Sequence, residues 1–147
     1  MVHADVEGLR AATTRTVRPE DCATQWGNDG LEVLSTPAIL GHTERLCAEA
    51  MAPYLEPGEM SVGVQVEMHH RAPAPVGGKV DYRITAPAVD RRTEFGFEVR
   101  DEADNVICNG THLRAVVAVD RFLERYGLPR PAPADGAAAP APAPGER

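Results

Sequence analysis

A hydroxyl, a carboxylate and an imidazole fall in one stretch of this chain, LSTPAILGHTERLCAEAMAPYLEPGEMSVGVQVEMHHRAPAP, from Leu34 to Pro75. They are Thr36, Glu44 and His70. A carboxylate can take a proton from water or attack a carbonyl itself, an imidazole moves protons near neutral pH, and a hydroxyl orients either one. Together they would make a hydrolytic site, provided the fold brings them together. Each has a plainer reading. Thr36 can cap a helix, Glu44 can pair with Arg45 on a solvated face, and His70 can be a hydrogen-bonded residue at the end of a strand.

The elements that must position them follow from pattern. Ser35 or Thr36 supplies a helix cap, and Pro37 falls at the first helical position, where its missing N–H is harmless. Ile39, Leu40, Leu46, Cys47, Ala50, Met51 and Tyr54 recur at three- and four-residue spacing as one apolar stripe. Pro53 breaks the last turn, and Pro57-Gly58 turns the chain. Val62, Val64, Val66 and Met68 then alternate with Gly63, Gln65, Glu67 and His69, the period of a strand with one buried face. Parity puts His70 on the Val/Met face, toward the helix, and His69 with Gly63 on the other.

Around this unit the chain reads as further strands. Leu9 to Val17 is a first strand, Arg18 to Asp21 a turn, and Cys22 to Asn28 a loop or short strand. Trp26, the one tryptophan, reads as a packing residue near a domain edge, and Gly27 to Gly30 as a hinge. Lys79 to Val89, Thr93 to Arg100 and Val106 to Val119 alternate as strands. Pro87 marks an edge or bulge in the first, Phe95, Phe97 and Val99 share a face of the second, and Gly110 suggests a bulge in the third. Asp120 to Tyr126 is a short helix ended by Gly127. The order is strand, helix, then four antiparallel strands: an α+β domain of the hot-dog type, a sheet wrapped around one long helix. Its exposed edges point to a homodimer. Residues 1–128 form the domain. Ala and Pro make up 12 of the 17 residues from Pro131 on, so 129–147 reads as a disordered tail.

Composition excludes several classes. Fifteen Lys and Arg against 22 Asp and Glu give a net charge of −7, the wrong sign for a nucleic-acid binder. Cys22, Cys47 and Cys108 cannot all pair and lack metal-ligand spacing, which suits reduced thiols. The start, MVHADVEGLR, has no apolar signal core. No run approaches the ~20 apolar residues of a membrane span. A cytoplasmic protein without membrane attachment is expected. His69, His70 and His112 do not make a metal site, because adjacent strand residues point to opposite faces; no metal and no cofactor are called for.

Four further segments, AMAPYLEPGE (Ala50 to Glu59), Ser61-x-Gly63, His70 with Ala72 and Pro75, and GTHLRAV (Gly110 to Val116), closely resemble the fluoroacetyl-CoA thioesterase group of hot-dog enzymes. The resemblance runs from about Val33 to Val119. It implies a thioester hydrolase with Thr36, Glu44 and His70 as the catalytic set and Gly63 and Arg114 as substrate-binding residues. The substrate would be an acyl thioester of coenzyme A or of an acyl carrier protein. Lys79, Arg91, Arg92 and Arg114 are candidate partners for the coenzyme phosphates. The family's fluoroacetate enzyme carries aromatics before the helix, where this chain has GNDGLEVLS, so a different acyl preference is expected. Glu44 reads either as general base or as nucleophile. A hydratase or dehydratase would need an Asp and a His together on the helix, and the helix histidine, His42, has no Asp near it in sequence. A non-catalytic acyl-CoA-binding module would not need Glu44 and His70.

Overall fold

A computed structural model describes residues 8–131 of the chain. The expectations for the first residues and for most of the tail lie outside that range. Strand β1 (Leu9–Thr16) is followed by two 3-10 turns (Pro19–Asp21 and Ala23–Trp26) and helix α1 (Thr36–Met51). Strands β2 (Glu59–His70), β3 (Lys79–Ala86), β4 (Arg92–Asp101) and β5 (Val106–Ala118) come next, and helix α2 (Val119–Tyr126) closes the series. The strands form one antiparallel sheet in the order β1-β3-β4-β5-β2.

The core lies between α1 and the middle of this sheet. Period-two alternation buries Val80, Tyr82, Ile84 and Ala86 on β3 and Thr93, Phe95, Phe97 and Val99 on β4. The helix stripe contributes Ile39, Leu46, Cys47 and Met51 to the same cluster. Each fully buried large apolar side chain contributes about 1.5–3 kcal/mol, and these central strands supply six of them: Val80, Tyr82, Ile84, Phe95, Phe97 and Val99. The sheet wrapped on one long helix is the arrangement expected from the pattern.

Strand β2 departs from the sequence reading. It is an edge strand, so part of its apolar side has little cover within the chain, although Met68 packs partly against the core. Val64 and Val66, which alternation places on a buried face, are 48% and 38% exposed, and Met60 before them is 47% exposed. The register against β5 also shifts between Gly63 and Gln65. Val64 is the extra residue of a β-bulge, and a bulge reverses the facing of everything beyond it. Directly paired residues share a face. Gly63 pairs with Arg114, Val66 with His112 and His70 with Cys108, all alternate residues of β5. Gly63 therefore shares the helix-facing side with His70, contrary to unbroken parity.

Other calls move for local reasons. Gly110 continues the ladder without a bulge, pairing with Met68 on one side and Phe97 on the other. Its reason is space: a Cβ there would stand 1.9 Å from the Glu67 carbonyl oxygen and 2.8 Å from the Met68 Cα. Strand β3 stops at Ala86, before Pro87, which has no N–H to continue it. The segment 22–28 holds the second 3-10 turn, Ala23–Trp26, with Gly27 ending it at φ 96°. Gly127 ends α2 in the same left-handed region.

Candidate active site

The first turn of α1 decides what Thr36 is free to do. Ser35 is the N-cap, extended at φ −83° and ψ 153°, and its buried hydroxyl accepts from Ala38 N–H at 3.2 Å. Thr36 is the first helical residue and Pro37 the second, one place later than expected. With the cap supplied by Ser35, the Thr36 hydroxyl turns outward and meets His70 Nδ1 at 2.8 Å. His70 reaches it from the last residue of β2. His69 points the other way, 3.5 Å from Glu67 and well exposed.

Beside this pair lies an open cavity of about 410 Å³, lined by Trp26, Leu31, Val33, Thr36, Pro37 and His70 among others. Trp26 is 62% exposed, so it is not the packing residue the sequence suggested. It borders the cavity that Thr36 and His70 also border.

Glu44 stands two helical turns further on, about 12 Å along the axis from Thr36 at 1.5 Å per residue. Among the described residues no hydrogen bond or ion pair joins it to the Thr36–His70 pair. Its carboxylate lies over Gly63 on β2, so close that a Cβ at Gly63 would stand 2.4 Å from Glu44 Oε1. His112 on β5 is the other wall, with Nε2 3.8 Å from Glu44 Oε1. The chain thus builds two adjoining half-sites on one face of the sheet: Thr36 with His70, and Glu44 with Gly63, His112 and Arg114.

Arg114 is buried in the floor of the second half-site. Its Nε donates to Ser61 Oγ at 2.9 Å, Nη2 to the Ser61 carbonyl at 2.8 Å, and Nη1 to His112 Nε2 at 3.1 Å. This burial removes it from the surface cations that could meet a coenzyme phosphate. Arg91 is engaged as well, 3.3 Å from Glu59. His112 Nδ1 lies 3.2 Å from the Gln65 carbonyl. A carbonyl only accepts and a guanidinium only donates, so Nδ1 carries the proton and Nε2 offers its lone pair. His112 is therefore a neutral imidazole and forms no ion pair with Glu44. Burial pushes its pKa down, and the Arg114 charge adds to this, against the hydrogen bond to Gln65 and the Glu44 carboxylate.

Two features escaped the sequence reading. His112 was weighed only as a metal ligand, and its place beside Glu44 depends on the β5–β2 register. His42 has a partner after all: Asp21 Oδ1 lies 3.0 Å from its Nε2. That pair is largely buried, edge-on to Tyr82 and outside the cavity lining. Asp21 also accepts from Arg18 N–H. The His42–Asp21 contact pins the turn at Pro19–Asp21 to α1. The three cysteines are buried free thiols, and burial pushes Cys47 up to about 12 and Cys108 to about 11. Neither is a nucleophile at neutral pH.

Set against known proteins, residues 17–120 match the family model described as fluoroacetyl-CoA-specific thioesterase. The chain is 37% identical over 102 residues to the fluoroacetyl-CoA thioesterase of Streptantibioticus cattleyicolor, across 69% of this chain and 73% of that one. A crystal structure of a mutant of the fluoroacetyl-CoA-specific thioesterase FlK matches with a TM-score of 0.76 at 30% identity, covering 84% of this chain and 96% of the other. A FlK mutant in complex with fluoroacetate and CoA gives a TM-score of 0.71 at 31% identity, over 83% and 98% of the two chains. A hot-dog-like protein from Thermanaerovibrio acidaminovorans gives 0.75 at 28% identity, over 82% and 89%. The fold is the hot-dog fold.

Proposed function

The chain belongs to the fluoroacetyl-CoA-specific thioesterase family, and from that premise we propose that it hydrolyses an acyl-CoA thioester with Thr36, Glu44 and His70 as its catalytic residues. The activity is thioester hydrolysis. The observation that carries the assignment of residues is the hydrogen bond between Thr36 and His70 beside an open cavity, made possible because Ser35 does the capping.

A thioester carbonyl must be polarised, attacked and relieved of a thiolate. Pro37 has no N–H, Ala38 gives its own to Ser35 Oγ, and Ile39 bonds the Ser35 carbonyl. That leaves Thr36 N–H as the first-turn donor for the developing oxyanion, aided by the positive end of the helix. One such donor is typically worth about 3 kcal/mol. Helical side chains lean toward the N-terminus, so the Glu44 carboxylate is directed toward the Thr36 end of the helix, and the reading puts the water and the thioester carbonyl between them. Glu44 then activates that water as general base. Direct attack by Glu44 would instead form an anhydride, and solvent oxygen-18 found in Glu44 would show that water had opened such an anhydride at the Glu44 carbonyl. His70, oriented by Thr36, passes a proton to the departing thiolate. Gly63 leaves room for the Glu44 carboxylate, and Arg114 fixes the floor beneath it.

The acyl group occupies the cavity bordered by Trp26, Leu31 and Val33. A space of about 410 Å³ suits an acyl chain larger than acetyl. Fluoroacetyl against acetyl discrimination should then be small, since one such apolar contact is worth about 1–3 kcal/mol. Exposed Met60, Val64 and Val66 on edge strand β2 support a homodimer. Residues 1–128 are assigned as the catalytic unit. The test is thiol release from acetyl-, fluoroacetyl-, branched and longer acyl-CoAs, and from the same acyl groups on a carrier protein. Hydrolysis favouring a larger acyl-CoA supports the reading. Absence of hydrolysis across the panel would overturn it.

A further inference from the structure

Arg114 and Glu44 are opposite charges in one half-site, yet they are not hydrogen-bonded to each other. A buried guanidinium beside a carboxylate ordinarily takes it in a bidentate pair, among the strongest polar contacts available. Here its N–H groups are directed elsewhere: Nε and Nη2 to Ser61, and Nη1 to His112 Nε2 at 3.1 Å. The same His112 nitrogen lies 3.8 Å from Glu44 Oε1. Two charged groups converge on one atom, and its lone pair serves only the donor, Arg114.

We propose that His112 is a positioning residue, which keeps the Arg114 guanidinium off the Glu44 carboxylate so that Glu44 retains its lone pairs for water or the thioester. This rests on the assignment of Glu44 to the chemistry. Three conditions make it work. His112 is 1% exposed, so the ring cannot swing away. Its Nδ1–H is held by the Gln65 carbonyl, which fixes the tautomer. That carbonyl belongs to the residue just past the Val64 bulge, where the register of β2 against β5 shifts. Burial disfavours a proton on Nε2, so the acceptor persists at neutral pH. Loss of the acceptor frees one arm of Arg114, and the carboxylate whose charge the guanidinium already feels is Glu44.

Two substitutions separate this role from packing. His112→Gln places an amide oxygen near the Nε2 position and still accepts from Arg114. His112→Asn is too short to do so, but its amide can still donate toward Gln65. The account expects His112→Asn to lower kcat at least tenfold in protein that still folds, and His112→Gln to recover most of that loss. A structure of the Asn variant should show Arg114 paired with Glu44. Equal kcat losses in the two variants, or an Asn variant in which Arg114 Nη1 does not move onto Glu44, would overturn it. Nitrogen-15 spectra of the unmodified protein give a check that needs no variant: they should report the Nδ1–H tautomer for His112, and an Nε2–H tautomer would refute the proposal. Glu44→Gln is run alongside. Full activity in that variant would remove the role of Glu44 itself, a failure distinguishable from that of His112.

Discussion

Gly63→Ala perturbs the candidate site by a single methyl group. Gly63 carries no positive φ, so alanine fits its backbone, and in a strand the change is neutral or mildly favourable. The added Cβ would stand 2.4 Å from Glu44 Oε1 and 3.2 Å from His112 Cε1. Ordinary contact begins near 3.4 Å, so the carboxylate must retreat by 3.4 − 2.4, or 1.0 Å, while the buried His112 ring yields only two tenths. Glu44 is the flexible end of a long side chain, and its retreat strains little. The melting temperature should therefore stay within a few degrees. Catalysis is less forgiving: a misplacement of about 1 Å lowers rate by roughly 10²-fold, or about 2.7 kcal/mol of barrier. The assay is continuous thiol release at saturating acyl-CoA, with thermal unfolding measured on the same preparation. A variant that keeps kcat within threefold of the parent would refute the reasoning, because Glu44 would then not act from the position over Gly63.

Four more outcomes follow from the geometry. His70→Ala should lower kcat by roughly 10²–10⁴, the range of general acid–base catalysis, whereas His69→Ala, on the opposite face beside Glu67, should change it little; equal losses would sink the facing argument. Gly110→Ala should cripple folding rather than catalysis, since its Cβ would stand 1.9 Å from the Glu67 carbonyl oxygen, and soluble protein with an unchanged melting temperature would contradict this. His112 has a lowered pKa in the fold and titrates near 6.5 when unfolded. Its contribution to stability is thus complete above about pH 6.5 and declines as pH falls below it; melting curves should show this decline, flattened in His112→Gln. Val64→Lys, on the exposed edge of β2, should shift sedimentation from dimer to monomer, and a parent protein that sediments only as monomer would remove the dimer.

The sequence carried the parts of this molecule that depend on period. The helix stripe buried Ile39, Cys47 and Met51 as spaced, and Phe95, Phe97 and Val99 shared a buried face as alternation required. His70 was separated from His69 correctly, because both lie beyond the bulge and their relative parity survives it. Gly63 was misplaced because a bulge at Val64 leaves no mark in a run of alternating valines. The exposure of Val66 was missed for a different reason: alternation reports that a face is apolar, and only sheet order reveals that the strand is at the edge. The Asp21–His42 contact and the neighbourhood of His112 are long-range events, set by how the first 3-10 turn meets α1 and by the pairing of β5 with β2. Ser35 and Thr36 were equal candidates for the cap until the geometry gave it to Ser35, which freed Thr36 for His70.

The most direct test of the account is kcat for acyl-CoA hydrolysis by the parent protein and by Glu44→Ala, measured on the best substrate of the acyl panel. The account predicts measurable turnover by the parent and a loss of at least 10²-fold in the variant, with unfolding midpoints that agree within a few degrees. Equal turnover by the two proteins would contradict it.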